Sequence, residues 1–567
     1  MNSKQKLELT WIGKEKRPRL EPRILVEVPE KSYHAQEKKG DNDQFENMLI
    51  HGDNLLALKA LEQEYSGQIK CIYIDPPYNT GKAFDHYDDC LEHSIWLGLM
   101  RDRLEILRNL LAQDGFFCCH IDDSESSYLK VLLDEVFGID NFLSTIYVKV
   151  RYTEKTLTQA MVFHKEIEQI HVYRKSSMAK PALTITEKTD DKYCFYFEEL
   201  TSGTELILGG KKTLVFNEGE YRITKGAPSE TGRKEIWASG TILDGNSSGR
   251  FFRDYLTGRS SIDGLKVLYK VYGIGEEDDG YRYFTGPCRA NATRGKYYQG
   301  KPEQTTVEEP IENFYDFSAQ FGNCNQEGGV QFRSGKKPEL LLKTLLQHFS
   351  LPGDLVLDSF LGSGTTAAVA HKMGRRWIGI ELGDHCYTHC IPRLQKVIDG
   401  TDQGGITKAV DWQGGGGFRF FELGESLIQK DKWGQEIINK NFNAEMLAQA
   451  LCKIEGFIYP PPKDEFFIHG HSTENDFIYV TTNFMTAEYL KSISEQLGEK
   501  RSLLICCKGF ESSAEFTNLT VKKIPKAVLD KCEWGHDDYS LNVANLPMSA
   551  SVPVQAELFD DIEGDEK

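Results

Sequence analysis

The sequence predicts an open, mostly parallel α/β sheet, interrupted by a β-rich insertion and followed by a smaller mixed α/β domain. Three observations point there. Short apolar runs alternate with stretches of helical period over residues 46–175 and again over 331–400, the pattern of strands buried on both faces by crossover helices. Between them, from about 150 to 330, Gly, aromatic and basic residues interleave and long amphipathic helices are absent; residues 201–300 hold 17 of the 50 glycines and 13 aromatics. Past 400, Gly404-Gly405 and the run Gly414–Gly417 mark a boundary before a last segment of mixed texture. The expected division is an arm at 1–45, sheet halves at 46–175 and 331–400, an insertion at 176–330 and a C-terminal domain at 401–567 with an acidic tail.

The elements follow in order. The arm is polar, carries Pro18, Pro22 and Pro29, and has one strand signal at Ile24–Val28. Asn47–His51 is a short apolar run that ends at Gly52-Asp53. Asn54–Tyr65 places Leu55, Leu58 and Leu61 at helical spacing. Ile69–Ile74 (IKCIYI) is a nearly continuous apolar strand, stopped by Asp75-Pro76-Pro77-Tyr78. A helix is expected over Ser94–Gln113, a strand over Phe116–Ile121 and a helix over Tyr128–Phe137. After the insertion come a helix over Lys337–Phe349, a strand at Leu355–Leu357, a helix at Thr365–Met373 and a strand at Trp377–Ile380.

Composition narrows the class. No stretch reaches the ~18 apolar residues that span a bilayer, and the polar N-terminus lacks the apolar core of a secretory signal. The 13 cysteines are scattered, without a CxxC pair, and read as reduced thiols in a cytoplasmic protein. Lys and Arg number 67 against 85 Asp and Glu, for a net charge of −18. A chain so acidic binds nucleic acid poorly unless its charge is segregated. It is: residues 401–567 carry 16 basic and 27 acidic residues, whereas 201–300 carry 15 and 12.

Two segments carry chemistry. The first is Leu355 to Thr366, a strand, a Gly-rich turn and a helix start, containing Asp358, Phe360, Gly362, Gly364 and Thr365. Glycines let a ligand approach the backbone, and the helix N-terminus offers free N–H groups. Glu381, 23 residues after Asp358 at the end of the next strand, is placed to bind the hydroxyls of a ribose. The turn is neither a dinucleotide fingerprint, since residue 367 is Ala, nor a P-loop, since no Lys follows. The second is Asp75-Pro76-Pro77-Tyr78 at a strand's carboxyl end, where open parallel sheets bind ligands. A carboxylate and a proline-freed carbonyl there accept from an amine, and Tyr78 offers a stacking face. Either segment alone also fits a structural turn.

Together they resemble the amino-directed DNA methyltransferases that use S-adenosylmethionine. Asp75-Pro76-Pro77-Tyr78 looks like the catalytic motif, and Asp358-Ser359-Phe360-Leu361-Gly362-Ser363-Gly364 like the F-x-G-x-G cofactor motif. Here the catalytic motif comes first, a circularly permuted order that resembles the β class, which includes the modification subunits of type III restriction systems. Gly52-Asp53-Asn54-Leu55 and Lys336-Lys337-Pro338-Glu339-Leu340 match further, while Tyr281-Arg282-Tyr283 and Gly295-Lys296-Tyr297-Tyr298 look family-like without an assigned role.

The resemblance implies a Rossmann-like domain with an inserted target-recognition domain. It also implies methyl transfer to the N6 amine of an everted adenine. Asp75, Pro76, Pro77 and Tyr78 would be catalytic. Asp53, Asp358, Phe360, Gly362, Gly364, Thr365, Glu381, Lys337 and Pro338 would surround the cofactor, with Asp53 near its adenine. Phe84 and Tyr87 are candidates to line the base pocket. His120-Ile121-Asp122-Asp123 reads as pocket wall, not a metal site, because no second histidine sits at ligand spacing. Arg222, Lys225, Arg233, Lys234, Arg250, Arg253, Arg289, Arg294 and Lys296 are candidates for DNA contact, with the acidic run Glu276–Asp279 among them. Duplex DNA, a helicase-nuclease restriction subunit and a second copy of the chain are the implied partners. Cytosine-N4 methylation and a silent DNA-specificity subunit are the competing readings; an RNA or protein methyltransferase fits the long insertion less well.

Overall fold

The computed structural model describes residues 8–40, 43–79, 93–152, 163–187, 190–238, 247–275, 280–286, 295–301, 306–332, 335–459, 465–511, 516–524 and 528. Phe84, Tyr87, Glu276–Asp279, Arg289, Arg294 and the acidic tail lie outside them. The chain forms two compact units, Leu183–Ile311 and the remainder, Met1–Ala182 with Glu312–Lys567.

In the larger unit the chain runs through β1 (Leu25–Glu27), β2 (Tyr33–His34), β3 (Asn47–His51), α1 (Asn54–Tyr65), β4 (Ile69–Ile74), α2 (His93–Leu110), β5 (Leu111–Ile121), α3 (Ser126–Phe137), β6 (Phe142–Lys149) and β7 (Ile167–Arg174). The inserted unit holds β8 (Thr184–Glu187), β9 (Tyr193–Glu199), β10 (Thr204–Leu208), β11 (Lys211–Phe216), β12 (Tyr221–Lys225), β13 (Arg233–Ala238), α4 (Ser247–Phe251), β14 (Leu268–Tyr272), β15 (Tyr281–Thr285), β16 (Gly295–Gln299) and β17 (Thr306–Glu309). The larger unit resumes with β18 (Phe314–Asp316), α5 (Ser318–Asn323), α6 (Glu339–Phe349), β19 (Leu355–Asp358), α7 (Thr365–Lys372), β20 (Arg376–Glu381), α8 (Ile391–Ile398) and β21 (Gly417–Leu423). It closes with β22 (Ile428–Lys430), β23 (Glu436–Ile438), α9 (Ala444–Glu455), β24 (Gly470–His471), β25 (Asp476–Met485), α10 (Ala487–Leu497), β26 (Ser502–Phe510) and β27 (Leu519–Lys523).

The central sheet has the order β1-β21-β3-β20-β19-β4-β5-β7-β6-β18. From β21 to β5 every neighbouring pair is parallel. The carboxyl ends of β3, β20, β19, β4 and β5 therefore lie along one rim. These strands are almost wholly buried, and Ile72, Ile74, Phe117 and Leu357 pack with Leu58, Met100 and Leu104 of the covering helices. That packing explains the continuous apolar runs. β7 and β6 extend the sheet antiparallel beyond β5.

The inserted unit is β-rich: an eight-stranded sheet in the order β10-β11-β14-β15-β16-β13-β9-β12, with β8 and β17 paired separately. Beyond the central sheet a four-stranded sheet, β24-β25-β26-β27, packs against α9 and has its own buried core around Leu451, Ile478 and Cys506.

Several expected boundaries move. Leu111 already pairs with Ile69, and the chain bulges before Phe116 pairs with Cys71; a Cβ at Gly115 would come 2.9 Å from the Ile69 carbonyl. The helix therefore ends at Leu110, not Gln113. The insertion spans 183–311, not 176–330, because β18 pairs with β6 in the central sheet. The glycine run 414–417 is not a domain boundary, since it feeds β21 into that sheet between β1 and β3. Nor is 1–45 a free arm: β1 and β2 both pair with β21, and Ile24 is buried against Leu427.

Candidate active site

β4 and β19 are hydrogen-bonded neighbours, with Ile72 opposite Leu357. The two segments singled out in the sequence, more than 280 residues apart, thus emerge side by side on the rim. Asp75 sits just past the end of β4. Its Oδ1 accepts from the Tyr78 hydroxyl at 2.8 Å. Pro76 is buried, and the Pro77 carbonyl accepts from Trp96 Nε1 at 3.0 Å, which ties the turn to α2.

Lys337, immediately before Pro338 and α6, brings its Nζ to 2.8 Å from Asp75 Oδ2 and 3.7 Å from Glu168 Oε2. The same Nζ lies 4.9 Å from the centre of the Tyr78 ring, within cation–π range. Glu168, on β7, shares the single Tyr78 hydroxyl proton with Asp75, its Oε2 lying 3.1 Å from that hydroxyl, and is 2.9 Å from His120 Nε2. His120 Nδ1 in turn contacts the Tyr73 hydroxyl at 2.9 Å. Burial raises a carboxyl, but the Lys337 charge and the His120 ring outweigh it and hold Glu168 down at about 2. Burial likewise pulls the Lys337 ammonium down, yet Asp75 and Glu168 together leave it above its ordinary value. His120 thus stands between Glu168 and Tyr73 beside the Asp75 turn; among the described residues no group of three His, Cys, Asp or Glu could hold a metal ion.

On the neighbouring strand, Asp358 Oδ1 accepts from the Phe360 N–H at 2.9 Å and Oδ2 from Thr366 Oγ1 at 2.6 Å. Gly362 and Gly364 take φ of +58° and +81°, the left-handed region that glycine alone enters freely, and Gly364 caps α7. Glu381 binds this turn directly: Oε2 accepts from the Gly362 N–H at 2.7 Å and Oε1 from the Gly383 N–H at 2.9 Å. Phe360 is buried in the central core. Thr365 Oγ1 accepts from Arg393 at 2.7 Å.

Burial pushes the Asp358 carboxyl up to about 7, with Asp75 and Glu381 adding to the effect against its two hydrogen bonds. Between the ordinary 3.8 and about 7 the unfolded chain has released a proton that the folded protein keeps. The stability from this group is full below the lower value and is lost as pH rises through the upper one. The advantage of wild type over Asp358→Asn in urea midpoint is expected to shrink from pH ~4.5 to ~7.5; a constant difference contradicts this.

Asp53 stands at the end of β3, caps α1 through the Leu56 N–H at 3.1 Å, and lies 3.5 Å from Arg103. Next to it Asn54 donates to the Ser359 carbonyl at 2.8 Å and accepts from Arg103 at 2.6 Å. The Gly52 turn and the Gly-rich turn are thereby joined.

Sequence reasoning missed three participants. Glu168 is a lone acid on an alternating strand, without a motif. Arg393 and Lys372 look like solvated helix charges, yet both are fully buried on Glu339, at 2.8 Å each. Arg393 also donates to the Ser363 carbonyl at 3.2 Å, so this cluster braces the Gly-rich turn.

The insertion's candidates occupy different settings. Arg222, Lys225 and Arg250 are exposed, Arg222 pairing with Glu198 at 3.0 Å. Lys234 is half-buried. Arg253 pairs with Asp254, and Lys296 with Glu235. Arg233 is buried, stacked 4.4 Å from the Tyr281 ring centre and 5.0 Å from that of Tyr283, which makes it a structural cation of the sheet. Tyr283 and Phe197 stack at 4.2 Å, so the family-like Tyr281-Arg282-Tyr283 segment builds the aromatic face of this unit.

The family model for DNA methylases matches residues 69–390. The probable type III restriction-modification enzyme HindVI Mod subunit of Haemophilus influenzae is 34% identical over 428 residues, covering 68% of this chain and 55% of that one. The EcoP15I Mod subunit of Escherichia coli is 24% identical over 591 residues, covering 87% and 85%. The EcoPI Mod subunit of Escherichia phage P1 is 28% identical over 430 residues, covering 65% and 62%. The chain thus spans little more than half the length of the Haemophilus relative.

Proposed function

This chain belongs to the DNA methylase family, and from that premise we propose that it methylates the N6 amine of adenine in duplex DNA, using S-adenosylmethionine, as the modification subunit of a type III restriction-modification system. The observation that carries the reading is the adjacency of β4 and β19, which sets the Asp75 turn and the Gly362–Gly364 turn on one rim. The described residues fit the cofactor. A Cβ at Gly362 would meet open space, and Ser359 Oγ, at the start of the same turn, is buried without a hydrogen-bond partner among the described residues. Gly362, Gly364, Phe360, Asp358 and Glu381 would hold S-adenosylmethionine, with Asp53 at its adenine end. Bound there, it would supply an electrophilic methyl carbon on a sulfonium.

The chain's own residues prepare the amine. An adenine amine is a weak nucleophile because its lone pair is delocalised into the ring. Asp75 Oδ2 and the Pro76 carbonyl accept its two hydrogens, which turns the lone pair out of the ring plane toward the methyl carbon. Tyr78 supplies the stacking face for the everted base. As the nitrogen–carbon bond forms, positive charge grows on nitrogen beside Asp75, where a fixed carboxylate stabilises it. The amine then loses one proton, through Asp75 to solvent. Holding both reactants in line contributes much of the acceleration.

Asp, not Ser, before Pro-Pro-Tyr favours adenine over cytosine. The inserted unit is proposed to read the sequence, through Arg222, Lys225, Lys234 and Arg250. The C-terminal sheet is proposed to mediate dimerisation or contact with a helicase-nuclease subunit, in the cytoplasm. No helix among the described residues is long and apolar enough to cross a membrane, and the ten described cysteines are free thiols.

The reading is tested by incubating the protein with unmodified DNA and methyl-labelled donor, then chromatographing the hydrolysed bases. N6-methyladenine is expected; N4-methylcytosine would favour the other amine, and no label in any base would sink the proposal. Gly362→Val tests the cofactor turn. A β-branched residue at this φ costs about 1–3 kcal/mol, and donor affinity is expected to fall roughly tenfold or more. Unchanged calorimetric affinity would count against this pocket.

A further inference from the structure

We propose that Lys337 occupies the place of the target amine before DNA arrives, and that Glu168 draws it aside when the base enters. The inference rests on the methyltransferase reading above and names a step that reading requires. Both oxygens of Asp75 are taken: Oδ1 by the Tyr78 hydroxyl and Oδ2 by Lys337 Nζ, each at 2.8 Å. The same ammonium sits 4.9 Å from the Tyr78 ring centre. One nitrogen thus fills the acceptor oxygen and covers the stacking face that an adenine needs. It is a cation with N–H donors in the position of a neutral amine with N–H donors.

It cannot stay there during reaction. An ammonium next to a nitrogen that is gaining positive charge would raise the barrier, and the two donors would crowd one oxygen and one ring face. Lys337 has somewhere to go. Glu168 Oε2 is already 3.7 Å from Nζ, and a shift of about one ångström turns that contact into a full charge-assisted hydrogen bond. Glu168 is held ready for it by the Tyr78 hydroxyl at 3.1 Å and the His120 ring at 2.9 Å. The move also keeps a buried cation paired throughout, which avoids the cost of an uncompensated charge. Before DNA binds, the lysine shields Asp75 from solvent cations and keeps the site from accepting stray amines. Glu168 is then a positioning residue, acting through Lys337.

The test is a mutant cycle on the full chain, read as kcat and KM for methyl transfer to unmodified DNA. In Glu168→Gln the lysine has no second carboxylate and stays on Asp75. Its kcat is expected to fall roughly a hundredfold, with donor affinity by calorimetry unchanged. Removing the lysine as well, in Glu168→Gln with Lys337→Met, is expected to restore a large part of that loss, and Glu168→Asp to be milder than Glu168→Gln. A merely structural Glu168 predicts the opposite, a double variant as slow as or slower than the single one, and that result overturns the proposal. A wild type that transfers no methyl would overturn this inference together with the function itself. An active wild type whose double variant shows no recovery would overturn only the lysine's role.

Discussion

Asp75→Ala is expected to lower methyl transfer by roughly 10²–10³-fold or more while leaving donor binding and DNA binding measurable. The size follows from what the carboxylate does. Among the described residues it is the carboxylate at the end of β4 that the proposed mechanism sets against the target amine, and there it would stabilise charge that appears only as the new bond forms. The fold should tolerate the change, because Asp75 lies at the rim, with its side chain about one-fifth exposed and bonded, among the described residues, to Tyr78 and Lys337. Lys337 keeps Glu168 as its partner, so no cation is stranded. Asp75→Asn should be nearly as inactive, since one face of the amide donates where an acceptor is required. Initial rates of label transfer at saturating donor, beside melting curves of each variant, separate loss of chemistry from loss of structure. Near-normal methylation by Asp75→Ala would remove it from the mechanism.

Glu339→Ala is expected to cost about 3–5 kcal/mol of stability, the usual result of removing one partner from a buried ion pair. Glu339 is fully buried, and its Oε1 receives Arg393 while its Oε2 receives Lys372 and the Ile406 N–H. Lys372 retains Asp402 at 2.7 Å. Arg393 is the stranded charge, left with the weaker opposition of Glu327. Because Arg393 also holds the Ser363 carbonyl and Thr365 Oγ1, the Gly-rich turn should loosen with it. Calorimetry should show melting lowered by roughly 10 °C, and donor affinity should fall in step. Unchanged melting would mean that the triad is worth no more than its hydrophobic replacement.

The middle of the central sheet was legible because β3, β4, β19 and β20 are almost wholly buried and so spelled as short apolar runs. Ile69–Ile74 and Asn47–His51 are bounded in the structure where those runs end. The two rim turns were legible because they are spelled with unusual residues, two prolines after an acid and glycines that take positive φ. What remained hidden depends on long-range pairing. Glu168 becomes meaningful only when β7 folds back antiparallel on β5 and carries it to His120 and Tyr78. Arg393 and Lys372 lie on separate helices, and only the fold brings both onto the buried Glu339. The glycines at 414–417 suggested a linker, yet they make the close turn by which β21 enters the sheet beside β3. Arg233 was grouped with surface cations, although stacking on Tyr281 and Tyr283 removes it from the surface.

If the Asp75 turn and the Gly362–Gly364 turn form one site acting on adenine in DNA, the methyl mark must depend on Asp75. Modified bases are mapped across the genome of cells that lack related methylation, expressing either the wild-type chain or Asp75→Ala. N6-methyladenine is expected at one recurring sequence with the wild type and none with the variant. Methylation that persists in the variant, or a wild-type genome without any modified base, would contradict it.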